Sequence, residues 1–291
     1  MTTPIGVSNY PIQPHATVTN QALSASSNPH TTPMQLAADE HVRLLGELRQ
    51  LSPAQWTAPS SCAGWRNGRV VAHLAAGAEL YRRSICRALQ GDAAWSDAAA
   101  ESLACFEARQ ERWSESPPVL LLAAFAASSE LLDRVYQSLT PDELSLPAWH
   151  PMRQVTVGML LAFRVFELGF HGWDVRASVD PRATIQGRLT PFLVGFVRQA
   201  QFGLCTPALE LDITARFQVD PHEAWTTVVR DGKLAAAPPD AHADVEIQTD
   251  RGTFLLLATR RRTLAEVAGR VTIYGDGERA AAVLRATSFS V

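Results

Sequence analysis

The sequence lacks the features that mark a membrane protein, a secreted protein or a disulfide-stabilised domain. No stretch approaches the roughly 18 uninterrupted apolar residues of a membrane span, and the N-terminus has neither the basic nor the apolar segment of a signal peptide. The four cysteines, Cys62, Cys86, Cys105 and Cys205, form no C-x-x-C pair and no compact cluster, which argues against a zinc knuckle and a disulfide framework. We therefore expect a cytoplasmic protein without a membrane partner.

The sequence also lacks an excess of positive charge. The chain has 26 Lys and Arg residues against 29 Asp and Glu residues, a formal net charge of -3, and Lys233 is its only lysine. A general basic field that would attract nucleic acid is therefore absent, and no nucleic-acid partner is predicted. The arginines nevertheless supply bidentate donors for carboxylate ligands.

Common catalytic motifs are missing as well. The sequence contains no G-x-S-x-G elbow, no H-E-x-x-H pair, no Walker loop, no G-x-G-x-x-G and no internal repeat at a fixed period. Cys62 stands just before a Gly64-Trp65 turn and a predicted helix, whose N-terminus could lower the pKa of its thiol. A loop cysteine without function is the simpler interpretation.

The 291 residues, 46% of them apolar, suffice for two domains or one large one. Residues 1–31 are polar and without period, which predicts a disordered tail. Helical spacing of apolar residues then predicts a four-helix bundle within residues 32–181. Its helices are predicted from Thr32 to Ser52-Pro53, over 67–90, from about residue 100 to 139 with a break at Ser116-Pro117-Pro118, and over 155–178, with a loop between Pro147 and Pro151.

After Asp180-Pro181 the pattern changes to mixed strands and helices. Polar and apolar residues alternate in several segments, as they do in strands of a half-buried sheet. Strands are predicted at 209–219, 224–233, 243–249 and 271–276, and helices at 189–203, 253–261 and 277–287. Residues 182–291 are therefore predicted to form a smaller α+β domain, which makes the fold class α+β.

Candidate metal ligands lie in the last bundle helix, within LAFRVFELGFHGWDVRAS. Glu167 and His171 are four residues apart, so their Cβ atoms stand roughly 5–6 Å apart on one helix face. Both side chains can then reach one metal ion, and a catalytic zinc ion usually takes a third protein ligand. His73 is the best candidate, because it lies on a stripe of small and apolar residues with Gly77 one turn later.

Other interpretations of these residues stay open. His73 could be a hydrogen-bonded histidine of the core, and Arg164 could neutralise Glu167 from three residues earlier. His171 and Asp174 could form an ordinary polar pair. Alternatively, Asp174 could hold the second ring nitrogen of a ligating histidine.

Three segments resemble one known family. The runs SSCAGWRNGRVVAHLA and FELGFHGWDVRAS are similar to motifs of the mycothiol-dependent maleylpyruvate isomerase family, whose N-terminal domain is a DinB-like four-helix bundle. ADVEIQTDRGTFLLLATRR followed by VTIYGD resembles that family's sterol-carrier-protein-like C-terminal domain. The resemblance implies that His73, Glu167 and His171 bind zinc, and that mycothiol or a related thiol acts as cofactor.

The implied reaction adds the thiolate to an activated cis double bond, allows rotation and then expels the thiol. The resemblance also implies an arginine that orients an acidic substrate. Arg260 is the first choice, because Thr259-Arg260 stands where the family has Gly-Arg, and Arg270 of the Gly269-Arg270 pair is the alternative. The predicted partners are thus a small-molecule thiol and an electrophilic substrate.

Two other functions remain open. Related bundles transfer or exchange thiols on electrophiles in detoxification or natural-product biosynthesis. A non-catalytic zinc-binding regulator is the third possibility, and thiol-dependent turnover separates it from both enzymes. Monomer and dimer are both compatible with the sequence.

Overall fold

The computed structural model describes residues 32–92, 97–151, 153–205, 207–208 and 210–289. The tail predicted for residues 1–31 lies outside these ranges. Within the described part, helices dominate as far as residue 179, and a five-stranded sheet with helices follows. This order confirms the predicted α+β fold class.

The described N-terminal residues form six α-helices. Their bounds are α1 (Pro33–Leu48), α2 (Pro53–Thr57), α3 (Asn67–Leu89), α4 (Asp97–Ser114), α5 (Pro118–Ser138) and α6 (Val157–Val179). The long helices α1, α3, α5 and α6 build the bundle, in which α1 and α3 each pack against both α5 and α6. Helix α4 packs against α3, so the interrupted third segment of the sequence is two separate helices.

Helix caps explain where the first and last bundle helices begin. The Thr32 side chain accepts a hydrogen bond from the Gln35 backbone N–H, and Pro33 occupies the first turn of α1. Thr156 caps α6 in the same way by accepting from the N–H of Met159. Helix α6 buries 17 of its 23 residues, and it is therefore enclosed on more than one side.

The loop predicted between Pro147 and Pro151 is wrong, because this segment belongs to a β-hairpin. Strands β1 (Pro147–His150) and β2 (Arg153–Thr156) pair antiparallel. The Ser84 hydroxyl of α3 donates to the Trp149 carbonyl at 2.6 Å and accepts from the Trp149 N–H at 2.8 Å. This contact with a distant helix holds the hairpin against the bundle.

The C-terminal part consists of one sheet with helices packed on it. Its elements are α7 (Thr190–Leu204), β3 (Ile213–Asp220), β4 (Glu223–Arg230), β5 (Lys233–Ala237), β6 (Val245–Thr249), α8 (Arg251–Ala258), β7 (Val271–Gly275) and α9 (Gly277–Ala286). The strand order is β5-β4-β3-β6-β7, and only the β3–β6 pair among these described strands is parallel. Strand β3 alternates buried and half-buried residues, as expected for a sheet with one face on a core.

The strand predicted at 224–233 is divided by a turn. Asp231 and Gly232 both have positive φ angles, 50° and 68°, which suit a tight hairpin turn between β4 and β5. The predicted domain boundary at residue 181 falls between α6 and α7. There the two parts meet closely, since a Cβ added to Gly169 would lie 3.0 Å from Leu193. Across the described ranges, no helix combines the length and apolar composition that a membrane span requires.

Candidate metal centre

Three potential metal ligands meet between α3 and α6. Nε2 of His73 lies 2.9 Å from Oε2 of Glu167, and Nε2 of His171 lies 3.4 Å from the same oxygen. One ligand atom of each residue lies within 4.8 Å of those of the other two. The four-residue spacing places Glu167 and His171 on one face of α6, and the packing of α3 against α6 brings His73 to that face. The structure thus brings the three predicted residues together.

The outer nitrogen of each ring is held by a neighbouring oxygen. Nδ1 of His73 lies 3.2 Å from the amide oxygen of Gln110, and Nδ1 of His171 lies 2.9 Å from Oδ2 of Asp174. Because these oxygens accept hydrogen bonds, each ring donates from Nδ1 and directs Nε2 toward Glu167. The contact of Asp174 with Nδ1 of His171 is the one that both sequence interpretations of this pair require.

The charges in this cluster stabilise one another. Burial acts to raise the pKa of the Glu167 carboxyl, but the charge and hydrogen bond of His73, with His171, outweigh burial and lower that pKa to about 2. Burial acts to lower the pKa of His73, but Glu167 raises it above its ordinary value. Glu167 is therefore ionised at neutral pH and available as an oxygen donor.

This set of donors fits a zinc ion. Two imidazole nitrogens and one carboxylate oxygen are ligands of catalytic zinc, which keeps a fourth position open. Tetrahedral zinc with bonds of about 2.0–2.1 Å separates its ligand atoms by roughly 3.4 Å. The distance between His171 Nε2 and Glu167 Oε2 is 3.4 Å, and the distance between His73 Nε2 and the same oxygen is 2.9 Å.

Aromatic rings surround the imidazoles. The Trp65 ring stacks on His171 with centroids 5.8 Å apart and lies 5.1 Å from His73, while Phe106 lies 5.5 Å from His73. Trp65 is held by Ser60, whose backbone N–H and hydroxyl both donate to the Trp65 carbonyl. These rings place apolar surface beside the candidate ligands, where electrostatic interactions are stronger than in open water.

A cavity of about 560 Å³ opens at His73. Its lining residues are Trp65, Arg69, His73, Phe106, Glu107, Ala108, Gln110 and Glu111. The Arg69 guanidinium donates to Glu111 at 3.2 Å and lies 5.5 Å from the Trp65 ring centroid. The cavity wall therefore combines aromatic surface with a cation that can meet an acidic group.

Arg164 does not form the ion pair with Glu167 that the sequence left open. Its side chain is fully buried, and its two terminal nitrogens donate to the Leu74 carbonyl at 3.0 Å and to the Ser129 hydroxyl at 2.7 Å. Glu167 instead forms ion pairs with the imidazoles of His73 and His171.

The arginines predicted to orient an acidic substrate are engaged elsewhere. Arg260 donates to the hydroxyl and the carbonyl of Ser288, and Arg270 donates to Asp250. Arg261, which the sequence did not single out, donates from Nε and Nη2 to both oxygens of Asp174 at 3.0 and 2.8 Å. Of these three arginines, Arg261 contacts a residue of the centre.

Cys62 lies beside the centre but is not an activated nucleophile. Its sulfur forms a second potential ligand group with His171 and Asp174, although Asp174 already binds His171 and Arg261. Burial, followed by the charge of Asp174, raises the pKa of the Cys62 thiol to about 11. The thiol is therefore protonated at neutral pH, contrary to the lowered pKa considered from the sequence.

Sequence reasoning missed several residues around the ligands. Arg69 precedes His73 by four residues, so the helical spacing of α3 could have predicted that both side chains lie on one face. Phe106 and Gln110 share a face of α4 for the same reason, but nothing local relates that face to His73. Trp65 stood within a recognised motif without an assigned role.

Comparisons with known proteins bear on the family and the fold of the chain. Residues 37–176 match the family model described as the mycothiol maleylpyruvate isomerase N-terminal domain. The chain is similar to a solved structure of the mycothiol-dependent maleylpyruvate isomerase, with a TM-score of 0.59 and 17% identity over 83% of this chain and 91% of that chain. A histidine-to-alanine variant of that isomerase gives a TM-score of 0.61 with the same identity and coverage. No curated protein matches the chain.

Proposed function

Residues 37–176 belong to the mycothiol maleylpyruvate isomerase N-terminal domain family, and from that premise we propose that this chain is a thiol-dependent isomerase. Its co-substrate is mycothiol or a related low-molecular-weight thiol, and its substrate carries a maleylpyruvate-type cis double bond. One observation carries the proposal: His73, Glu167 and His171 converge beside a cavity that can admit small molecules.

In this proposal the three residues hold zinc or another divalent ion. When bound, the ion supplies a positive charge that lowers the pKa of a coordinating thiol, whose thiolate is the reactive form. Gln110 and Asp174 fix the two imidazole rings so that each directs Nε2 inward. Trp65 and Phe106 provide aromatic surface beside the imidazoles.

The thiolate adds to one carbon of the activated cis double bond, and the bond that becomes single can rotate. Departure of the thiolate restores the double bond in the trans form and regenerates the thiol. Nothing is oxidised or reduced, so no further co-reactant is needed. An acidic substrate also needs a cation to orient its carboxylate. For this role we propose Arg69 of the cavity wall, in addition to the sequence candidates Arg260 and Arg270.

Thiol transfer to an uncharged electrophile is the second candidate function. It is favoured by the engagement of Arg260 with Ser288 and of Arg270 with Asp250, because an uncharged electrophile needs neither guanidinium. The addition would then end when the carbanion takes up the proton that the thiol released, and the thiol would be retained in the product through its new C–S bond.

The test is turnover by the purified, zinc-loaded chain given maleylpyruvate with and without mycothiol. We expect the trans isomer to form only when the thiol is present, without consumption of the thiol, and we expect His73→Ala to abolish turnover. His41→Ala is the matched control, since His41 is a buried histidine that contacts Asp133 rather than the centre. Isomerisation without thiol would overturn the proposal, and stoichiometric loss of thiol would identify the transferase instead.

A further inference from the structure

The side chain of Arg261 lies between the C-terminal part and the metal centre. Helix α8 ends in a left-handed turn: Arg260 has a φ angle of 56°, and the N–H groups of Arg260 and Arg261 donate to the carbonyls of Leu257 and Leu256. This hydrogen-bond pair is the Schellman motif that closes many helices. Because the chain reverses at Arg260, the side chains of Arg260 and Arg261 separate, one toward Ser288 and the other toward α6.

The contact of Arg261 with Asp174 is a bidentate ion pair whose two side chains are almost completely buried. The Arg261 side chain is 5% exposed and the Asp174 side chain 0% exposed. Nε donates to one carboxylate oxygen and Nη2 to the other, and the guanidinium carbon lies 4.9 Å from the Phe170 ring centroid. Two parallel donors and an aromatic surface leave the carboxylate a single orientation.

The same carboxylate holds the ring of His171. Oδ2 of Asp174 lies 2.9 Å from Nδ1 of His171 and 2.8 Å from Nη2 of Arg261. A rotation of the carboxylate that released Arg261 would therefore also displace the hydrogen bond to the imidazole.

We propose that Arg261 is a positioning residue that acts through Asp174 to keep Nε2 of His171 directed at the metal position. The inference rests on the proposed metal centre and goes beyond it, because it makes the metal affinity of the bundle depend on a residue of the C-terminal part. Arg261 need not touch the substrate or the metal for this role.

Arg262 provides a matched control. It is the next residue in the same segment, its guanidinium lies 5.2 Å from the ring centroid of Trp173 on α6, and its ion-pair partner is Glu266. A substitution of Arg262 therefore removes a similar contact between the two parts without touching Asp174.

The experiment measures zinc affinity of the full-length, metal-free chain by competition with a chromophoric chelator. We expect Arg261→Ala and Asp174→Asn each to weaken zinc binding by roughly 10- to 100-fold, the usual effect of losing a partner behind a ligand. Arg262→Ala should stay within about twofold of wild type, and Arg261→Lys should recover part of the loss. The double variant Arg261→Ala with Asp174→Asn should bind zinc within about threefold of the weaker of the two single variants. The effects should not add, because both changes break the same contact between Arg261 and Asp174.

A spectroscopic measurement separates positioning from general loosening of the fold. The visible absorption bands of the Co²⁺-loaded chain should shift in Arg261→Ala and not in Arg262→Ala, since they report ligand geometry. Zinc affinity and Co²⁺ bands unchanged in Arg261→Ala would overturn the inference and leave the metal centre intact. A wild-type chain that binds no zinc would overturn the metal centre itself, and this inference with it.

Discussion

Arg164 donates a hydrogen bond to the backbone carbonyl of Leu74 across 90 positions of sequence, at 3.0 Å. Its other terminal nitrogen donates to Ser129, so one fully buried guanidinium joins α6, α3 and α5. Leu74 follows His73, and Arg164 precedes Glu167 by one helical turn. The hydrogen bond from Arg164 to Leu74 therefore fixes α3 against α6 close to His73 and Glu167.

Replacement of Arg164 should destabilise the folded chain. We expect Arg164→Ala to lower the free energy of unfolding by about 3 kcal/mol, because it opens a cavity and leaves the Ser129 hydroxyl without its donor. Arg164→Lys should lose less, since an ammonium can keep one of the two hydrogen bonds. Urea unfolding of the metal-free chain measures both, and equal stability of Arg164→Ala and wild type would contradict the assigned role.

Metal binding should depend on His171. We expect about one zinc ion per wild-type chain and loss of most of it in His171→Ala, because two ligands hold zinc far more weakly than three. Elemental analysis after dialysis gives the stoichiometry, with His41→Ala as the control that should keep the metal. Full retention of zinc by His171→Ala would refute the predicted ligand set.

The arginine that orients an acidic substrate can be identified kinetically. If Arg260 or Arg270 has this role, its alanine variant should lower kcat/KM by about 10²-fold, or about 2.7 kcal/mol, while zinc is retained. Arg69→Ala tests the cavity wall in the same assay with the same expected size of effect. A loss confined to Arg69→Ala would place the carboxylate contact in the bundle, whereas three unchanged variants would favour an uncharged electrophile.

His150 should make the stability of the metal-free chain depend on pH. It stacks on Phe163, and burial lowers the pKa of His150 to about 4. Between pH 6.5 and 4 the unfolded chain therefore binds a proton that the folded chain does not, so the free energy of unfolding falls as the pH falls. The contribution approaches about 3 kcal/mol at 1.36 kcal/mol per pH unit.

His150→Gln isolates this effect from the titration of other groups. Urea unfolding at several pH values should give a flatter dependence for the variant than for wild type over this window. Parallel curves would show that the histidine titrates normally in the folded chain.

Local patterns predicted the long helices and four of the five strands of the sheet, because those elements follow single periodicities. The pairing of Glu167 with His171 was equally local, since four residues make one helical turn. The hairpin at residues 147–156 was not predictable in this way, because Ser84 of another helix holds Trp149. Gln110 likewise depends on how α4 packs beside His73.

The arginines that follow α8 show a second limit of prediction from sequence. Matching residues to a Gly-Arg motif selected Arg260, yet the backbone gives Arg260 the positive φ that glycine adopts most easily. The arginine that follows this turn is Arg261, and it is the one that reaches Asp174. The backbone conformation at Arg260, rather than the residue types in the motif, therefore decides which arginine faces Asp174.

Helix α6 has partners on nearly every side, with bundle helices along one flank and Arg261 and Arg262 against Phe170, Trp173 and Asp174 on another. The C-terminal part therefore cannot be replaced by another domain without loss of these contacts with α6. A chimaera that replaced it with an unrelated domain would leave Asp174 without its guanidinium partner and would expose the rings of Phe170 and Trp173 on that flank. Any successful exchange must bring its own guanidinium to Asp174 or rebuild that flank of the helix.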